Sequence, residues 1–204
     1  MRDAVTTKRR ILEVAQDLVL DRGFSATTVD AVIDAAGISK GAFFHHFASK
    51  NALGQSMLER YAAADAEMLE SFMGKAEAIS EDPAEQLIAF ARAFEEASDE
   101  LFSDPGCLFV SFVYEKMPDS REAHQVIRNT IELWRKRLGD KVRQAFAERS
   151  ITGTDPDSLA DLMFTTFEGA FVLARATGDP SDVRRQLGHY RRYLELVLNK
   201  PVHD

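Results

Sequence analysis

Residues 27–53 read TTVDAVIDAAGISKGAFFHHFASKNAL, and this stretch decides the fold. Thr27-Thr28-Val29-Asp30 has the form of a capping box running from Thr27 to Asp30, which opens a helix by giving its first backbone N–H groups a side-chain partner. Val29, Val32 and Ile33 supply that helix with an apolar face. Gly37 arrives after only about two turns and stops it, because glycine accepts the left-handed backbone that a helix end requires. The small side chains of Ala35 and Ala36 let two helices come close. Ile38 is placed to bury, Ser39 caps a third helix from Lys40 to Phe47, and Ser49 caps a long fourth helix over about residues 49–74. Two short helices joined through a glycine turn form a helix-turn-helix unit, in which one helix projects side chains into the major groove and the other holds it at a fixed angle. Phe43 and Phe47, four apart, point to the core. Lys40, Gly41, Phe44, His45 and His46 are left facing outward. A phenylalanine exposed between a lysine and two histidines is out of place on a solvated surface, but it suits one that meets bases, thymine methyls and phosphates.

The pattern extends in both directions. Upstream, Ile11, Leu12, Ala15, Leu18 and Val19 mark one face of a helix from Thr7 to Arg22, with Gly23 as its C-cap and Phe24 turned inward. Lys8, Arg9 and Arg10 stand at its start, where the helix dipole disfavours cations, so they serve either as phosphate contacts or as a solvated face. Downstream, the fourth helix carries Leu53, Met57, Leu58, Tyr61, Met68 and Phe72 at helical intervals. Pro83 fits the first turn of a helix bearing Leu87, Phe90, Ala91, Phe94 and Leu101. Pro105-Gly106 breaks the chain, Cys107 to Met117 is short and very apolar, and Pro118 ends it. Helical spacing then resumes through Ile127, Ile131, Trp134, Leu138 and Val142, through residues 157–176, and from Val183 to Val197. No segment has the alternation of a strand. The fold expected is all-α: a three-helix head over residues 1–50, joined by the long helix to a helical body over residues 51–204.

The formal net charge is -8, yet residues 1–60 hold eight Lys/Arg against seven Asp/Glu, leaving -9 on the rest. The acid therefore lies in the body, where it helps to repel nucleic acid from the wrong surface. No apolar run approaches the roughly 20 residues of a membrane span. The opening MRDAVTTKRR has no apolar stretch behind its charges, so it is not a secretory signal, and a cytoplasmic protein without a membrane partner is expected.

Residues 8–54 resemble the DNA-binding domain of the TetR/AcrR family of one-component regulators. The resemblance is carried by Lys8-Arg9-Arg10-Ile11-Leu12, Gly23-Phe24, Thr27-Thr28-Val29, Ala36-Gly37-Ile38-Ser39-Lys40-Gly41 and Phe44-His45-His46-Phe47-Ala48-Ser49-Lys50-Asn51-Ala52-Leu53. It implies a homodimeric, sequence-specific regulator of transcription, usually a repressor. Such a protein binds near-palindromic double-stranded DNA, and its C-terminal domain binds a small ligand that lowers DNA affinity. By the same resemblance Thr28 holds a phosphate, Lys40, Gly41, Phe44 and His45 face base edges, and Ala42, His46 and Lys50 lie along the backbone. Two departures stand out. Phe44 replaces the usual tyrosine and loses a hydroxyl contact, and Ile33 replaces a small alanine in the second helix.

The body carries aromatics in excess of what a thin bundle needs. Phe90, Phe94, Cys107, Phe112, Trp134, Met163, Phe164 and Phe167 are the candidates for framing an apolar pocket for a small hydrophobic organic molecule. Ala170 and Ala174, one turn apart, permit close helix approach, and Leu187, Tyr190 and Leu194 continue an apolar stripe. The resemblance makes these two helices the dimer interface; the alternative is ordinary packing within one chain. Cys107 reads either as a buried small hydrophobe or as a thiol sensor, although no adjacent cation would lower its pKa. His45 and His46 are neighbours that diverge on a helix, so neither a metal nor another cofactor is expected. No nucleophile, metal or nucleotide motif suggests an enzyme.

Overall fold

The computed structural model describes residues 2–101, 106–115 and 121–199, with side chains from residue 5 onward. Phe102, Pro105, Met117 and Pro118 lie outside the described residues. Among those described there are only helices: α1 Arg2–Arg22, α2 Val29–Ala36, α3 Lys40–His46, α4 Lys50–Glu77, α5 Pro83–Leu101, α6 Leu108–Tyr114, α7 Arg121–Glu148, α8 Pro156–Thr177 and α9 Ser181–Leu198. They form two compact units, Met1–Asp65 with Cys107–Asn129, and Ala66–Gly106 with Thr130–Asp204. This division is not the linear one at residue 50, and packing explains the difference. Phe112 of α6 lies 4.8 Å from Phe24, centroid to centroid, and Phe109 lies 4.9 Å from Tyr61. The short apolar helix that sequence assigns to the body is thus spent on the first unit.

Within that unit Ile11, Ala15 and Val19 of α1, Val32 and Ala36 of α2, Phe43 of α3, and Leu53, Met57 and Leu58 of α4 are buried together with Phe24 and Phe47. Several sequence expectations shift in detail. Helix α1 starts at Arg2 rather than Thr7, so Lys8, Arg9 and Arg10 sit beyond its first turn, where the dipole no longer argues about their use. The cap of α2 is Thr28, whose side chain accepts from Ala31 N–H at 3.1 Å. Thr27 is instead buried and braces the α1–α2 turn by donating to the Gly23 carbonyl at 2.8 Å and the Leu18 carbonyl at 3.2 Å.

The second unit packs α5 against α9 and α9 against α8. Phe94, fully buried, meets Phe72, Phe90, Trp134 and Phe167 at ring-centroid distances of 5.0–5.9 Å. In the later part of α4 the buried face is Leu69, Met73 and Ala76, one residue on from the Met68 and Phe72 stripe read from sequence. Ion pairs tie α5 to α9, with Arg191 to Glu95 and Arg184 to Asp99 both at 2.6 Å. A second set joins α7 to α4 and α5. Arg137 and Lys141 each reach Glu77 at 2.8 Å, and Lys141 also donates to Gln86 at 2.6 Å.

This set, together with the Arg149–Asp82 pair just before α5, is expected to make the unit acid-sensitive. The Arg137 hydrogen bond, helped by Lys141, holds the Glu77 carboxyl at about 2, and Arg149 holds Asp82 at about 2. Both values lie below the ordinary 4.5 of a glutamate and 3.8 of an aspartate, so the pairs stabilise the fold in full above that range and are lost as pH falls toward 2. Glu77→Gln is therefore expected to lower the neutral-pH melting temperature and to flatten its decline between pH 5 and 2. Parallel acid profiles for the two proteins would show that Glu77 carries none of this sensitivity.

Candidate nucleic-acid interface

The turn that presents α3 is built by local chemistry. Gly37 adopts φ 62° and ψ 41°, its N–H returns to the Asp34 carbonyl, and Ile38 N–H returns to Ile33. Together these satisfy the last carbonyls of α2, an end that only a residue at ease with positive φ permits. Ser39 then caps α3 by accepting from Ala42 N–H at 3.1 Å, and Ser49 caps α4 by accepting from Ala52 N–H at 3.1 Å. Phe43 and Phe47 anchor α3 from below, 0% and 2% exposed.

With that face committed to the core, Lys40, Gly41, Phe44 and His45 are all exposed, and Ala42 and His46 are half-buried at its margins. Phe44 is 48% exposed and leans edge-on against Phe43 at 5.3 Å, which holds the ring upright on the surface. Lys40 pairs with Asp30 of α2 at 3.3 Å. Both side chains are well exposed, and such a pair is worth little, so the ammonium is free to exchange that partner for another. Thr28 is exposed at the N-terminus of α2, where backbone N–H groups favour an anion.

Lys50 is held by the neighbouring turn. Its ammonium turns back on the α1–α2 turn, donating to the Ser25 carbonyl at 3.1 Å and lying 4.5 Å from the centre of the Phe24 ring. Burial lowers its pKa, and the nearby Glu115 carboxylate partly offsets this. Sequence reading missed Asp30, Thr27 and Glu115 as partners of this surface. Thr27 and Asp30 were visible as polar residues beside the cap, whereas nothing near Glu115 in the sequence points to residues 24 and 25.

The candidates in the body are placed less uniformly. Trp134 and Phe164 line a cleft of about 160 Å³ with Ile131, Leu138 and Ala160, and Arg135 grips Asp161 there with two bonds of 2.6 and 2.7 Å. Phe90, Phe94 and Phe167 are ring neighbours of one another or of Trp134, Met163 is buried, and Cys107 and Phe112 are buried in the other unit. The dimer candidates Ala170, Ala174, Leu187, Tyr190 and Leu194 are at most 4% exposed inside their own chain, on helices that pack as α5 with α9 and α9 with α8. The apolar residues left outward on the same helices are Val172, Leu173, Tyr193 and Leu196, the first and last 67% and 70% exposed. Among the described residues no three His, Cys, Asp or Glu side chains gather as a metal site, and no helix is long and apolar enough to cross a membrane.

A capped, glycine-turned helix pair with a cationic and aromatic outer face defines a helix-turn-helix DNA-binding regulator. The chain belongs to the TetR family of transcription regulators: residues 11–57 match the model of the bacterial regulatory proteins of the tetR family, and residues 83–190 match the tetracyclin repressor-like C-terminal domain. The family is not enzymatic. The chain is 28% identical over 177 residues to the transcriptional regulator AcuR of Cereibacter sphaeroides, covering 85% of this chain and 78% of that protein. It is 26% identical over 170 residues to the HTH-type transcriptional repressor DhaR of Mycobacterium sp. strain GP1, covering 81% and 80%. The fold is that of a TetR-family regulator from Agrobacterium tumefaciens, with a TM-score of 0.75 at 22% identity, covering 95% of this chain and 98% of that one.

Proposed function

We propose that the protein is a cytoplasmic homodimeric repressor that reads a near-palindromic operator with α3 and releases it when a small apolar molecule binds the second unit. The observation that supports this most is the division of labour on α3: Phe43 and Phe47 are spent on the core, and Lys40, Gly41, Phe44 and His45 are exposed together. Phe44 offers an apolar face to a thymine methyl, and Lys40 offers a donor to guanine. Thr28, Ala42 and His46 lie where phosphates would pass, and Lys50 joins them, since its ammonium has donors beyond the one given to Ser25. Lys40→Ala is expected to cost about 1–3 kcal/mol and to relax preference at one base position of each half-site. Binding to duplexes substituted one base at a time measures this. Unaltered preference at every position would remove Lys40 from base reading.

The dimer reading rests on α8. Thr165, Gly169, Val172, Leu173 and Ala176 make an exposed stripe without a single charge, and Tyr193 and Leu196 of α9 add to the outward apolar surface. Exposed apolar surface of this kind marks an interaction site, and a twofold dimer requires one patch that is complementary to itself. The relative named a repressor supports the sign of regulation.

For the ligand we infer a compact apolar molecule, about one aromatic ring in size. The cleft of about 160 Å³ by Trp134 and Phe164 is comparable to a cavity of ~150 Å³ that takes benzene. Small aromatic compounds are expected to raise the melting temperature of the wild type and not of Trp134→Ala. Equal shifts in both would place binding elsewhere.

A further inference from the structure

The turn between α1 and α2 holds an anion, and that anion is supplied by the chain itself. Phe24 N–H donates to one oxygen of Glu115 at 3.0 Å, and Ser25 N–H donates to the other. Successive backbone N–H groups beside a left-handed residue form a nest, a concavity that binds anions. Here the left-handed residue is Gly23, at φ 86°. The fit also depends on its missing side chain, since a Cβ there would collide with the Glu115 carboxylate. Lys50 closes the other side of the turn through the Ser25 carbonyl, and Phe112, three residues before Glu115, lies on Phe24. One short segment, α6 with Glu115, therefore grips the turn by a ring and by a charge. The chain enters this segment directly from the second unit, whose stretch ends at Gly106.

We propose that Glu115 is a positioning residue for DNA binding: seated in the α1–α2 nest, its carboxylate fixes the turn that leads into α2 and receives the Lys50 ammonium, and its withdrawal loosens the DNA-binding face. The proposal rests on the reading of that face given above. Hydrogen bonds to a charged acceptor are about twice as strong as neutral ones, so the carboxylate, rather than mere contact, sets the grip.

The test uses the full chain and a duplex enriched by the wild type from a random pool. Amide exchange at Phe24 and Ser25 is expected to be slow in the wild type and fast in Glu115→Ala. DNA affinity falls about tenfold in Glu115→Ala and less in Glu115→Gln, which keeps one acceptor oxygen. The salt dependence of binding stays the same, because Glu115 contacts no phosphate. Gly23→Ala costs less affinity in the Glu115→Ala background than in the wild type, since backbone strain is common to both and only the collision is removed. Tighter binding with a steeper salt slope in Glu115→Ala would mean that the carboxylate merely screens Lys50 and would overturn the proposal. Fast amides with unchanged affinity, or additive losses in the double variant, would overturn it equally. A wild type that enriches no duplex would instead overturn the DNA-face reading, while slow amides would still report the nest.

Discussion

The protein carrying Val172→Arg and Leu196→Arg is expected to be monomeric, folded and nearly unable to hold its operator. Both side chains are about two-thirds exposed in the single chain, so arginine costs the monomer little. In a twofold interface each substitution occurs twice, and the like charges face apolar surface across a short distance, which few interfaces tolerate. Losing the dimer separates two half-site contacts that otherwise share one binding event. Linked binding of this kind is worth about 10²–10⁴ in affinity, and a loss of that order is expected here. Light scattering reports the mass, and a melting curve shows whether the monomer remains folded. A dimer of unchanged mass would move the interface away from α8 and α9.

Leu194→Asp, two residues from Leu196, is expected to do the opposite and destabilise the body itself. Leu194 is 1% exposed, on the stripe of α9 that runs through Leu187 and Tyr190. Truncating a buried leucine costs about 2–5 kcal/mol, and an unpaired carboxylate in its place adds a further penalty. For a domain of this size a loss of about 5 kcal/mol lowers the melting temperature by roughly 10–20 °C. A soluble monomer melting at the wild-type temperature would show that Leu194 faces a partner rather than its own core.

The contrast between residues 194 and 196 marks where sequence reading stops. Helical spacing identifies α8 and α9 as apolar, but each is apolar on more than one face. Periodicity cannot say which face meets α5 and which is left outward, and the small pair Ala170 and Ala174 serves the inner contact. The head was far more legible because its signals are local. Gly37 demands a left-handed end, Ser39 and Ser49 cap the next helices, and Phe43 with Phe47 define an inner face, all within a few residues of where they act. Even there the cap of α2 fell one residue from its expected place, since adjacent threonines offer the same chemistry. Contacts across long separations were silent. The short apolar run 108–114 gives no hint that it packs beside Phe24, and Glu115 binds amides some 90 residues away.

On the function proposed above, two copies of α3 read two successive major-groove faces of one duplex. Hydroxyl-radical footprinting on the enriched duplex, with the mass of the complex measured alongside, tests it most directly. The expected result is protein bound in units of two chains, with two symmetric protected segments centred about 34–36 Å apart or at a multiple of that spacing. A single protected segment under one chain, or protection with no symmetry, would contradict it.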